Sequence, residues 1–337
     1  MAEPKDHEPW LEELQLPEIG STKDLAAHMG ISWHEFRWLT NQGRAASADH
    51  YDRFSIPKRH GGERPISVPK RRLRRAQLWI LDRLLAPVEP HPAAMAFRPG
   101  RSIVDNARLH AGKAVVVRID LADFFHSIHF HRVAALFERL GYRATVATTL
   151  AWVTTERVPE INDRRLPQGA ATSPAIANLV CRSLDETLAS IAASQGFAYS
   201  RYADDLTFSH SSALPRAEVD AFLALIQHKV ELQGFAVNEA KTQVMRPGQR
   251  QVVTGLVVNG QSTHEPRISR TDLRRFRAFL HRWETMGGDA DGRAYALGYL
   301  GYVQMVCPAQ AERIRAAHPE LLGGPEPRAQ RPSPEAT

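Results

Sequence analysis

The stretch FAYSRYADDLTFSH, residues 197–210, constrains this chain more than any other, because two adjacent aspartates interrupt two short apolar and aromatic runs. Runs of that composition read as strands, and the break at Ala203-Asp204-Asp205 reads as the tight join between them. Two carboxylates at a hairpin tip repel each other, a cost that a bound divalent cation removes. A second constraint lies upstream, where AVVVRID (114–120) is a β-branched run ending in Asp120. That pattern predicts a largely buried strand. Laid beside the hairpin, it brings a third carboxylate to the same end of a sheet. Hard oxygen donors suit Mg²⁺, which completes an octahedral shell with water and substrate phosphates. Two such ions roughly 3.5–4 Å apart form the arrangement for in-line phosphoryl transfer. Alone, however, an Asp-Asp pair is an ordinary solvated turn, so the surrounding segments decide its meaning.

The charge balance points the same way without deciding it. Lys and Arg number 43 against 37 Asp and Glu, a formal net charge of +6 over 337 residues. Arginine carries most of it, and its planar fork suits phosphate. Cys181 and Cys307 are the only cysteines, too few for an all-cysteine zinc site or a disulfide scaffold. MAEPKDHEPW has no apolar signal core, and no run approaches the roughly 18 apolar residues of a membrane span. A cytoplasmic protein with no membrane partner is the expectation.

Helical patterns flank this centre. Ser21 precedes LAAHMG, and Ser32 with Glu35 makes a capping box before FRWL. Two short helices broken at Gly30 fit either a DNA-reading helix-turn-helix or a helical cover on the next domain, with the cover preferred. Between Arg71 and Leu85 an apolar face follows a crowded first turn of Arg71, Arg72, Arg74 and Arg75, and Pro87 ends it. Thr172 or Ser173 is expected to cap a long helix, with Pro174 at its first position and Gly196 closing it. QVVTGLVVN (251–259) reads as a strand pair. Ser269 then caps a helix with Leu273, Phe276, Leu280 and Trp283 inward and Arg270, Arg274, Arg277 and Arg282 outward. GGPEPRAQRPSPEAT has the composition of a disordered tail.

Co-linear segments give the acids their context. YADD (202–205) between YSR and LTFS resembles the catalytic box of reverse transcriptases, and RIDLADFF (118–125) is similar to their first aspartate motif. LPQGAATSPAIANLVCRSLD (166–185) resembles their Q-G-x-x-x-S-P motif, FAVNEAKTQV (235–244) the later lysine motif, and IPKRHGGERPISVP (56–69) the opening fingers motif. RPGRSIVDNARLH (98–110) contains Asn106-Ala107-x-x-His110, which resembles an element of retron reverse transcriptases, as does Val253-Thr254-Gly255 near the thumb.

The resemblance implies an RNA-directed DNA polymerase with Asp120, Asp204 and Asp205 as ligands of two Mg²⁺ ions, Mn²⁺ being a substitute. Phe125 would stack on the sugar and exclude a 2′-hydroxyl, where the bland alternative is a core ring, the reading preferred for Phe124. Leu121, Gln168 and Gly169 would border the incoming deoxynucleoside triphosphate and Arg64 would grip its phosphates. Lys241 would serve the pyrophosphate leaving group, or else is a surface lysine. Asn106, His110, Val253, Thr254 and Gly255, with Arg274 and Arg277, would recognise RNA, although His110 also fits a plain helix face.

The implied architecture is α/β (α+β): a right-hand polymerase of fingers, palm and short helical thumb with an N-terminal helical extension. The expected boundaries are 1–50 for the extension, 51–262 for fingers and palm, 263–318 for the thumb and 319–337 for a disordered tail. No maturase, endonuclease or RNase H segment is read after the thumb, which fits retrons. A retron enzyme would copy its cognate noncoding RNA, acting as both template and primer, into branched RNA-linked single-stranded DNA (msDNA). An effector protein and anti-phage defence would follow. The alternatives are a reverse transcriptase of another lineage (group II intron, diversity-generating or CRISPR-associated) and a catalytically silent RNA scaffold.

Overall fold

Capped short helices open the chain. The computed structural model describes residues 10–40, 49–58, 61–158, 163–259, 265–287 and 289–318. In it α1 (Trp10–Glu13) precedes α2 (Thr22–His28) and α3 (Trp33–Leu39). Ser21 Oγ accepts from the Asp24 N–H at 3.1 Å and Ser32 Oγ from the Glu35 N–H at 3.2 Å, satisfying first-turn donors that would otherwise lack partners. Leu25, Ala26, Phe36 and Leu39 lie in the same core as the central sheet, as a helical cover requires.

β1 (Tyr51–Pro57) and β2 (Glu63–Pro69) pair antiparallel from Tyr51↔Pro69 to Pro57↔Glu63. α4 (Arg71–Ile80) runs on as a π-helical turn, Leu81–Leu85, just before Pro87. It buries Leu73, Ala76 and Ile80 and leaves Arg71, Arg72, Arg74 and Arg75 exposed. α5 (Ile103–Leu109) belongs to a separate unit taken up below.

β3 (Val115–Ala122) is the expected buried strand, with Val115, Val116, Val117 and Ile119 fully covered. Burial of side chains this size stabilises by about 1.5–3 kcal/mol each. There follow α6 (Phe130–Arg139), α7 (Ala144–Thr154), the short pair β4 (Glu156–Val158) and β5 (Asp163–Arg165), α8 (Ser173–Val180), α9 (Arg182–Ser194), β6 (Phe197–Tyr202), β7 (Asp205–His210), α10 (Arg216–Leu232) and β8 (Ala236–Met245). The four-stranded sheet runs β6-β7-β3-β8, antiparallel throughout. The single long helix expected from 173 is two helices, because the backbone at Cys181 leaves helical geometry (φ −78°, ψ 0°). Thr172 holds the cap position without a side-chain capping bond.

The chain divides into two compact units, Met1–Ser102 with Lys113–Gln249, and Ile103–Gly112 with Arg250–Thr337. The second therefore starts earlier than the expected boundary at 262 and takes α5 from the middle of the chain. It contains β9 (Val252–Val253), β10 (Leu256–Val257), α11 (Arg270–Thr285), α12 (Ala290–Val306) and α13 (Pro308–Ala317). Ser269 Oγ accepts from the Asp272 N–H at 3.1 Å, and Leu273, Phe276, Leu280 and Trp283 are buried as expected. The expected tail, 319–337, lies outside the described residues. Among those described, no helix is long and apolar enough to cross a membrane.

Candidate active site

Sheet register brings the acids together. Asp120 on β3 sits opposite Asp205 at the start of β7 and, on its other side, opposite Asn238 of β8. The β3–β8 ladder shifts between Arg118 and Asp120, so the acid lies at an irregularity rather than in a uniform ladder. Asp204 occupies the turn between β6 and β7. Ala203 before it adopts φ +58°, and the Leu121 N–H donates to the Asp204 carbonyl at 2.9 Å. That bond ties the turn to β3, placing Asp120 of β3 beside the turn acid Asp204 and Asp205, the first residue of β7.

Crowded carboxylates distort the local electrostatics. Burial, then the Asp205 and Asp120 charges, push the Asp204 carboxyl above the usual carboxylate range. The two flanking acids have found protein cations. Lys241 Nζ donates to Asp120 Oδ1 and Oδ2 at 2.9 and 3.1 Å, and Arg118 Nη2 donates to Asp205 Oδ1 at 2.9 Å. Among the described residues, no three acidic, histidine or cysteine groups converge as a ready-made metal cluster. The donor set still suits a hard divalent cation: all oxygen, partly desolvated and carrying excess negative charge. Arg118 escaped the sequence reading, although residues 118 and 120 share one face of a strand.

The nucleotide-contact candidates divide. Phe125 is half-buried, its ring 5.4 Å from Phe124 and 6.4 Å from Phe97 between centroids. Phe124 is core, stacked 5.9 Å from Phe235. Leu121 has its side chain in the core at 1% exposure, so it meets the turn through its backbone. Gln168 and Gly169 lie against β2, the Ser67 N–H donating to the Gln168 carbonyl at 2.8 Å. Gly169 has φ +124°, and a Cβ there would stand 2.9 Å from the Ser67 carbonyl oxygen. Arg64 is exposed on β2, opposite Ile56.

Of the residues expected to recognise RNA, Asn106 and His110 are fully buried at 0% exposure, and Val253 likewise. Direct contact between their side chains and RNA is incompatible with that burial. The Val-Thr-Gly element is a two-residue hairpin turn: Val253 pairs with Leu256 while Thr254 and Gly255 take φ +46° and +81°. Positive φ at both positions is the type I′ pattern. Thr254 Oγ1 donates to the Ile103 carbonyl at 2.9 Å, so both retron-like elements belong to one packed unit joined at the start of α5. Arg274 and Arg277 are exposed on α11.

A buried polar network behind the turn also went unread. Arg201 and Asp185 are both 0% exposed and pair through two contacts, Nε–Oδ1 at 2.8 Å and Nη2–Oδ2 at 2.7 Å. Arg201 Nη1 also donates to Asn178 Oδ1 at 3.1 Å and to the Ala203 carbonyl at 3.2 Å. Tyr199 donates to Asp185 Oδ1 at 2.8 Å; burial and that carboxylate hold its hydroxyl well above the ordinary tyrosine range. An arginine inside an otherwise apolar strand was the available signal.

Comparison with known proteins identifies the family. The family model described as reverse transcriptase (RNA-dependent DNA polymerase) matches residues 56–303. Retron Mx162 reverse transcriptase of Myxococcus xanthus is 38% identical over 329 residues, covering 91% of this chain and 68% of that protein. Retron Mx65 reverse transcriptase of the same organism is 40% identical over 313 residues, with 89% and 71% covered. Retron Ec86 reverse transcriptase of Escherichia coli is 31% identical over 307 residues, with 90% of each covered.

Proposed function

The chain belongs to the retron reverse transcriptases, which are RNA-directed DNA polymerases, and from that premise we propose that Asp120, Asp204 and Asp205 form its metal-binding catalytic centre. The observation that carries the reading is the register Asp120↔Asp205 beside the turn acid Asp204. When bound, Mg²⁺ ions (or Mn²⁺ in their place) would activate the primer hydroxyl and neutralise charge on the triphosphate. The protein's own groups do the positioning. Arg118 orients Asp205, while Lys241, here paired with Asp120, would give charge or a proton to departing pyrophosphate. Phe125 and the Gln168–Gly169 loop border the nucleotide, and Arg64 holds its phosphates. In this reading β1–β2 belong to the fingers, the four-stranded sheet is the palm and α11–α13 are the thumb.

The retron-specific step is initiation from a 2′-hydroxyl within the cognate noncoding RNA, giving branched msDNA that works with an effector in anti-phage defence. Arg274 and Arg277 supply phosphate contacts. Asn106, His110, Val253, Thr254 and Gly255 act by shaping the unit that presents RNA-binding surface, since burial removes most of their side chains from contact. Expression with the flanking noncoding region tests this. The expected product is RNA-linked single-stranded DNA whose mobility changes with debranching enzyme. DNA synthesis on primed RNA without any branched product would assign the enzyme to another reverse-transcriptase lineage.

A further inference from the structure

Phe97 combines two unfavourable features. Its backbone sits at φ +58°, a conformation that bulky side chains avoid, and its ring is 53% exposed although Ala94, Met95 and Ala96 beside it are buried. Backbone strain of this kind persists only where the surrounding structure fixes it. Here the support is the buried network behind the metal turn. Asn178 Nδ2 donates to the Ala96 carbonyl at 2.9 Å, and Arg201 Nη1 bridges Asn178 Oδ1 and the Ala203 carbonyl. The Arg201 N–H donates to the Ala93 carbonyl and its own carbonyl accepts from the Met95 N–H, each at 2.8 Å. One polar cluster therefore grips the residue before Phe97 and the residue before Asp204.

Among the described residues the exposed ring has one aromatic neighbour, Phe125, with centroids 6.4 Å apart and planes inclined at 53°. Two inclined rings make a corner rather than a flat stack, and a corner of apolar faces fits the edge of a compact ring lacking a projecting hydroxyl. We infer that Phe97 is a second specificity-determining wall of the sugar pocket, acting with Phe125 to admit deoxyribose and reject ribose. The inference rests on the proposed sugar contact of Phe125. Asn178 and Arg201 are positioning residues that keep the corner in step with the metal turn.

The test is single-nucleotide incorporation on an RNA template, comparing deoxy- and ribonucleoside triphosphates for wild type, Phe97→Ala, Phe97→Gly and Phe125→Val, with a melting curve for each. Removing pocket contacts of this size changes discrimination by about tenfold or more. Both Phe97 variants should lose that much selectivity through the deoxynucleotide-to-ribonucleotide ratio of kcat/KM. Phe97→Gly should keep or raise Tm, because glycine adopts φ +58° freely. Asn178→Ala should lower selectivity less, since the ring remains but its anchor is gone. Wild-type selectivity in both Phe97 variants, with Phe125→Val impaired, would overturn the inference and leave the Phe125 reading standing. So would a raised KM for primer with selectivity unchanged. Unchanged selectivity in Phe125→Val would instead overturn the sugar-pocket reading itself, and this inference with it.

Discussion

A charge with no access to water depends wholly on its partners, and Arg201 is such a charge. With both members of the Arg201–Asp185 pair at 0% exposure, deleting one strands the other in a medium that solvates it poorly. Arg201→Ala should cost about 3–5 kcal/mol of stability, read as a lower urea midpoint. Replacing both by apolar residues of similar volume, Arg201→Met with Asp185→Leu, should recover most of that loss. Polymerisation should not recover in parallel, because the donor to the Ala203 carbonyl is absent. Equal recovery of stability and rate in the double variant would reduce the pair to a core filler.

Two glycines separate strain from collision at the scale of the element. Gly255 ends the β9–β10 turn at φ +81° with nothing within 4 Å of the place a Cβ would take, whereas Gly169 at φ +124° would drive a Cβ against the Ser67 carbonyl and Ile66. Gly255→Ala should cost about 1 kcal/mol, and Gly169→Ala should cost more and slow nucleotide incorporation, since strained backbone is worth about 1–3 kcal/mol before any clash. Thermal unfolding with single-turnover kinetics checks both; equal, small effects would contradict the close approach of the 168–169 loop to β2. Much of this layout was legible beforehand. β-Branched residues up to Asp120 and the Asp204-Asp205 break sufficed to place the strands and acids, because a continuous apolar run and the break that ends it are local properties. The break at Cys181 was not, since the helical pattern continues through it. Nor was the burial of Asn106 and His110: a motif tells where a residue stands in the chain, whereas its facing depends on the β9–β10 hairpin more than 140 residues later. Arg118 and Arg201 likewise acquire meaning only once β3, β6 and β7 are aligned.

For the whole molecule, basic surface and acid centre have different jobs. Arg274 and Arg277 are exposed on α11, so removing both should leave stability unchanged. If they hold phosphates, RNA affinity should weaken and the dependence of log Kd on log salt should flatten by roughly one to two units. A titration with an unaltered slope would return them to solvated surface. The central claim, that Asp120, Asp204 and Asp205 carry out RNA-directed DNA synthesis, has a more direct test. Wild type and Asp204→Asn are purified and compared for Mg²⁺-dependent extension of a DNA primer on an RNA template, with Tm recorded for both. The account predicts extension by wild type that EDTA abolishes and Mg²⁺ restores. It predicts none above background from the variant, at an unchanged or higher Tm because a repelling charge has gone from beside Asp205. Extension by Asp204→Asn at a rate near wild type would contradict it.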